Sequence, residues 1–125
     1  MSRLGQAVND VLAIDPTAPA LEFEERWLSW GALAAAKSAI EGLVAQRGRA
    51  LRVGVLMRNR PDAAAATLAC VSRGDCLVTI NPLLPDEKLV DDILQLQPAA
   101  LIANEDDWRR PGLAEAAGRV GCLQI

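Results

Sequence analysis

The sequence contains no histidine and no tyrosine, and a single phenylalanine, Phe23. Without histidine, the Ser-His-Asp and Cys-His arrangements of nucleophilic hydrolysis are excluded, and carboxylates and lysines are left as the routine acid-base groups. Cysteine is sparse: Cys70, Cys76 and Cys122 form an odd set with no Cys-x-x-Cys spacing. With no histidine to complete a zinc site, they read as reduced side chains acting as small buried hydrophobes. No apolar run reaches the roughly 18 to 20 residues that a membrane span requires. Residues 1–10 carry Asn9 and Asp10 where a secretory leader needs an apolar stretch, so the expected location is the cytoplasm. A one-sided charge is also missing. Thirteen basic against sixteen acidic side chains leave a net charge of -3, with the basic residues scattered, which argues against nucleic acid as a partner. Finally, no Gly-rich turn joins a strand to a helix, the usual device by which bare backbone amides approach a phosphate.

What is present is a chain of 125 residues, 51% of them apolar, enough for one globular unit over residues 1–125. A chain of this size can bury about two-thirds of the surface that its unfolded form exposes, without metals or cross-links. Residues 1–18 read as a short helical or irregular lead ending at Asp15-Pro16, because a proline disfavours helix in the residue before it. Near 20–29, two short alternating runs flank Glu24-Glu25, the pattern of a tight antiparallel hairpin, with Phe23, Trp27 and Leu21 supplying its apolar contacts. Ser29 then suits an N-cap. Leu33, Ala36, Ile40, Leu43 and Val44 recur at helical spacing on one face, with Lys37, Ser38 and Glu41 largely opposite. Gly48 suits a stop, with Arg47 and Arg49 favourable at the helix end.

From residue 51 onward, short apolar runs alternate four times with amphipathic stretches, the signature of βαβ units over 51–125. The runs cover 51–57, 76–80, 99–103 and 120–125, and their nearly continuous apolar character suits strands buried on both faces. Helices are expected over 61–73, 86–97 and 111–119, with Pro61 and Pro111 in first turns and Asp86 as an N-cap. The alanines 63–66 let the first of these approach a sheet closely, and Gly74 ends it. Leu89, Ile93 and Leu96 form the buried stripe of the next, which Pro98 closes. The fold class is therefore α/β, a mainly parallel sheet flanked by helices and preceded by a short antiparallel hairpin.

Several residues invite a chemical reading. Arg58 and Arg60 stand at a helix N-terminus after the first buried strand and could receive a phosphate; the alternative is solvated arginines flanking a turn. Asp91 and Asp92 are adjacent on a helix, hence about 100° apart, and make a poor chelate. Glu105, Asp106 and Asp107 read as favourable charge at a helix start. Trp27, Trp30 and Trp108 lack the basic groove that base stacking would need and read as packing residues. Composition and spacing assign no catalytic, cofactor-binding or metal-binding residue.

The order of phrases says more. Asp15-Pro16-Thr17-Ala18-Pro19-Ala20-Leu21 is followed by Leu28-Ser29-Trp30-Gly31-Ala32-Leu33 and by Arg52-Val53-Gly54-Val55-Leu56-Met57-Arg58-Asn59-Arg60-Pro61-Asp62. Then comes Cys70-Val71-Ser72-Arg73-Gly74-Asp75-Cys76-Leu77-Val78-Thr79-Ile80-Asn81-Pro82-Leu83-Leu84-Pro85. In this order the four phrases resemble the N-terminal part of the adenylate-forming superfamily of acyl-CoA synthetases, luciferases and peptide-synthetase adenylation domains, from about Asp15 to Trp108. Asn81-Pro82 followed by Leu83-Leu84-Pro85 looks more like fatty or aryl acyl-CoA ligases. Trp30 stands where the family often has Tyr, Arg73 where Ala is usual, and Ala32 replaces the Glu that would complete a capping box, which predicts a weaker helix start.

The resemblance implies a parent enzyme that activates a carboxylic acid with ATP and Mg²⁺ to an acyl-adenylate and passes the acyl group to coenzyme A. It also implies that the family's phosphate loop, adenine-binding segment, ribose-binding Asp, hinge and catalytic Lys belong to later sequence, so that Lys37 and Lys88 do not stand for that lysine. The partners expected are the remainder of the synthetase and, through exposed strand edges, a second copy in a homodimer. Two rival readings stay open: a stand-alone non-catalytic interaction module, and a receiver-like signalling domain, which would need an acidic cluster where Met57-Arg58-Asn59 stands.

Overall fold

The computed structural model describes residues 2–125. Its first helix, α1 (Arg3–Ala13), begins at Ser2, whose side chain accepts a hydrogen bond from the Gly5 amide. The hairpin pairs β1 (Pro19–Phe23) with β2 (Arg26–Ser29), antiparallel, through a two-residue turn at Glu24 and Glu25. Both glutamates adopt positive φ, 52° and 63°, as a turn matching the strand twist requires. Trp27 departs from expectation. It projects into solvent, while Leu21 and Trp30 pack against Leu12 and Leu33.

Ser29 caps α2 (Trp30–Val44), accepting from the Ala32 amide at 3.1 Å. Two further amides of that first turn find backbone partners. The Trp30 amide donates to the Ala18 carbonyl at 3.0 Å and the Gly31 amide to the Pro16 carbonyl at 2.8 Å. Gly31 is needed for that approach, since a Cβ there would stand 3.0 Å from the Pro16 oxygen. Lys37 corrects the expected helix faces. It is buried between α1 and α2, with Nζ donating to Asn9 Oδ1 at 2.8 Å and to Glu41 Oε1 at 2.5 Å, whereas Leu43 faces solvent. A charge buried in this way persists because both its donors and its sign are matched. A 3₁₀ turn (Ala45–Arg47) then leads to Gly48, whose φ of 108° ends the helical path.

The main sheet is parallel throughout, in the order β4-β3-β5-β6. Its strands are β3 (Arg52–Leu56), β4 (Cys76–Ile80), β5 (Ala100–Ile102) and β6 (Leu123–Gln124). The helices between them are α3 (Pro61–Arg73), α4 (Asp86–Leu96), α5 (Glu105–Trp108) and α6 (Leu113–Arg119). Period-two alternation sends Val53 and Val55 to one face, where they pack with Val44, Ala66 and Cys70 of α2 and α3. Leu56, Ile80 and Leu101 occupy the other face with Leu89, Ile93 and Leu113 of α4 and α6. Gly54 keeps this second layer thin. A Cβ there would lie 3.0 Å from Ile80 Cδ1 and 3.1 Å from Leu101 Cδ1.

Boundaries differ from the sequence expectations where capping chemistry decides. Asp86 is the first residue of α4 and Pro85 occupies the cap position, with no side-chain cap bond. Pro111 lies before α6, whose start is set by Gly112 at φ 80°. Gly74, at φ 75°, ends α3 as expected, and Gln97, at φ 48°, ends α4 just before Pro98. The apolar runs at 51–57, 99–103 and 120–125 shrink to shorter paired strands, since only the paired residues join the ladder. Cys70 and Cys122 are buried, and burial pushes both thiols up to about 11, so they stay protonated at neutral pH. Cys76 does not share that role, being exposed on the edge strand β4.

Candidate functional site

Strand order fixes where a ligand would sit in a sheet of this kind. β3 lies between β4 and β5, so the chain leaves it first toward one edge and then toward the other. In open α/β sheets the crevice at the carboxyl ends of the strands, at such a reversal, is the usual binding position. Here the crevice lies between the β3–α3 loop, carrying Arg58 and Arg60, and the β5–α5 loop, carrying Ala103 and Asn104.

The crevice is nearly filled by its own side chains, with about 30 Å³ of free space. That is room for about one water, against the several hundred cubic ångströms of a small-molecule pocket. Arg58 Nε donates to Asp107 Oδ2 at 3.0 Å and Nη2 to Oδ1 at 2.7 Å, a bidentate pair with the carboxylate 2% exposed. Asn104 sets the carboxylate in place by capping α5, its Oδ1 accepting from the Asp107 amide at 2.8 Å. The hydrogen bonds from Arg58 hold the Asp107 carboxyl below its ordinary range although burial opposes them, and the same bonds raise the Arg58 guanidinium. Arg60 is also engaged, its guanidinium 5.5 Å from the centroid of the Phe23 ring. The two arginines named as phosphate receivers are thus committed to a carboxylate and an aromatic face. This crevice does not fit a nucleotide, and no catalytic step through ATP or Mg²⁺ is derived from it.

The other candidates separate. Asp92 takes the Lys88 ammonium at 2.8 Å, and Asp91 lies elsewhere on α4 beside an open acidic hollow with Asp86 and Glu87. Among the described residues no three His, Cys, Asp or Glu side chains come together to hold a metal ion. Of the acidic trio, Glu105 and Asp106 stay exposed and pair with Arg109, while Asp107 turns inward. Trp108 is a packing residue, its Nε1 donating to the Ile125 carbonyl at 3.0 Å. An apolar hollow between α1 and its neighbours is lined by Val8, Val11, Leu12, Trp30 and Leu68.

Sequence reasoning missed Arg110 altogether. Its guanidinium binds the β4–α4 loop and approaches Asp107, joining it to the same cluster. No local signal marks it, because its acceptors lie 24 to 28 positions earlier in the chain. Among the described residues, no helix is long and apolar enough to cross a membrane.

Comparison with known proteins agrees with this architecture. No curated protein sequence matches the chain. Among solved structures, apo MatB from Rhodopseudomonas palustris is 22% identical, with a TM-score of 0.78, covering 99% of this chain and 25% of its own. The benzoate CoA ligase from Burkholderia xenovorans LB400 is 16% identical, with a TM-score of 0.81, covering 100% of this chain and 26% of its own. The anthranilate CoA ligase AuaEII, solved with anthranoyl-AMP, is 15% identical, with a TM-score of 0.78, over 99% of this chain and 25% of its own. These likenesses show the fold, and the chain spans about a quarter of the length of each. The sequence model of the family described as AMP-binding enzyme matches residues 9–124, and the chain belongs to that family.

Proposed function

We propose that the chain is the N-terminal scaffold segment of an ATP-dependent acyl- or aryl-CoA ligase, and that residues 1–125 form a partial subdomain with no catalysis of its own. The observation that carries this reading is the family match through residues 9–124, with the same stretch filling about a quarter of the CoA ligase structures. An ATP-bound form of MatB supports nucleotide use by such ligases. In the intact enzyme, a carboxylic acid would be activated with ATP and Mg²⁺ to an acyl-adenylate and transferred to coenzyme A. The phrase Asn81-Pro82-Leu83-Leu84-Pro85 favours a fatty or aryl acid as the substrate class.

The chain alone is expected to give no pyrophosphate exchange above background with a panel of alkyl and aryl carboxylates. Exchange above background would reject the scaffold reading. A reading frame that continues past codon 125 into a Gly-rich phosphate loop would support the ligase assignment, and an early stop would favour a stand-alone interaction module. The apolar hollow beside α1 is the observation that favours this second reading.

Strands β4 and β6 each have a neighbour on one side only, and Leu4, Val11 and Ile14 of the α1 region are exposed. Unpaired edges and apolar faces of this sort drive association. The isolated chain is therefore expected to form a homodimer in a cytoplasm-like buffer. Light scattering that returns the monomer mass at high concentration would count against it.

A further inference from the structure

Arg110 ties together stretches of chain far apart in sequence. Its Nε donates to Asp86 Oδ1 at 2.8 Å, Nη1 to the Pro82 carbonyl at 2.6 Å and Nη2 to the Leu84 carbonyl at 2.6 Å. These acceptors span the β4–α4 loop, residues 81–85, and the first residue of α4. The loop also has a turn of its own, with Asn81 Oδ1 accepting from the Leu83 amide at 2.9 Å. Leu83, between the two carbonyls held by Arg110, is 80% exposed, so an apolar side chain projects from a segment gripped on both sides.

Besides its direct pair with Asp86, Arg110 faces a second carboxylate, that of Asp107. Its Oδ1 lies 3.6 Å from Arg110 Nη1 and simultaneously accepts from Arg58. One buried carboxylate therefore faces two guanidinium groups, one from the β3–α3 loop and one whose donors reach the β4–α4 loop.

We infer that Asp107 and Arg110 form a charge clamp: the negative charge at Asp107 orients the Arg110 guanidinium, which in turn fixes the loop at 81–85 and its projecting Leu83 against the carboxyl edge of the sheet. The inference stands on this geometry and does not depend on the ligase assignment. Hydrogen bonds to charged groups are among the stronger ones in proteins, so releasing the clamp opens the loop about tenfold more often or better.

The test is native-state proteolysis of the chain with thermolysin, reading cleavage of the Pro82–Leu83 bond, on the amino side of the exposed Leu83, by mass spectrometry. Amide protection in β3 serves as the gauge of the whole fold. Asp107→Asn keeps the shape and removes the charge. Arg110→Lys keeps the charge, leaves the Arg58–Asp107 pair intact and loses the fork that reaches both carbonyls. Both variants are expected to cleave at Pro82–Leu83 about tenfold faster than the parent chain, beyond any rise that a fall in β3 protection accounts for. Cleavage of folded Asp107→Asn at the parental rate would overturn the clamp. If Asp107→Asn loses β3 protection, Arg110→Lys decides: parental cleavage overturns the proposal, and a tenfold rise with β3 intact sustains it.

Discussion

Leu101→Ala is expected to lower the unfolding free energy by about 3 kcal/mol, within the range set by large-to-small replacements in well-packed cores. Leu101 is 0% exposed and sits in the middle of β5, paired through the ladder with β3 and β6. Its side chain fills the layer between the sheet and α4 and α6, against Leu56, Ile80 and Ile93. Gly54 on the adjoining strand contributes no side chain to this layer, so Leu101 and Ile80 reach across the space above it. Truncation would empty a volume that neither neighbouring strand can close without breaking register. Urea denaturation measures the effect, with Leu43→Ala as a comparison, because Leu43 is exposed and its loss should stay within about 0.5 kcal/mol. Equal midpoints for the two variants would mean that the second layer is not packed as described.

Asp107→Ala should cost about 2 kcal/mol at neutral pH, because it strips the bidentate partner from Arg58 and the nearby charge from Arg110. The figure is held below that of a fully buried pair because Arg58 retains partial access to water. Acid should remove the same contribution from the unaltered chain. The folded-state carboxyl is lowered, chiefly by the Arg58 hydrogen bonds, so its stabilisation is complete above the unfolded value near about 3.9 and is lost as pH falls through the folded value. The stability gap between the parent chain and Asp107→Asn should therefore be widest at neutral pH and shrink below about pH 4. A gap that stays constant down to about pH 2 would show that the charge of Asp107 is not what separates the two chains.

Much of the fold can be read from the residues because periodicity survives burial. Val53, Val55 and Leu56 announce a two-sided strand, the stripe Leu89, Ile93 and Leu96 announces a helix, and Gly74 and Ser29 act through local chemistry that tertiary context does not overrule. The failures share a different cause. The charge of Lys37 reads as a solvent-facing position, whereas the distant Asn9 together with Glu41 makes its burial sustainable. Trp27 was placed inside by its size, but the hairpin turns that face outward. Asp107 is indistinguishable in sequence from Asp106, and what separates them is Arg58, nearly fifty positions earlier and on another strand end. Only the start of α5 is legible, from the acidic run at 105–107, because four residues are too short for a period to show. Strand order was equally hidden, since alternation of runs says that strands are parallel but not which lies next to which.

The placing of β3 at the centre of the sheet also bears on synthesis. β3 is made before any of its partners, and the pairing of Val53 with Leu77 can form soon after β4 appears. Its other side, where Val53 meets Ala100, has no neighbour until most of the chain has been translated. During that interval the central strand of the sheet presents a bare edge to whatever surrounds the ribosome.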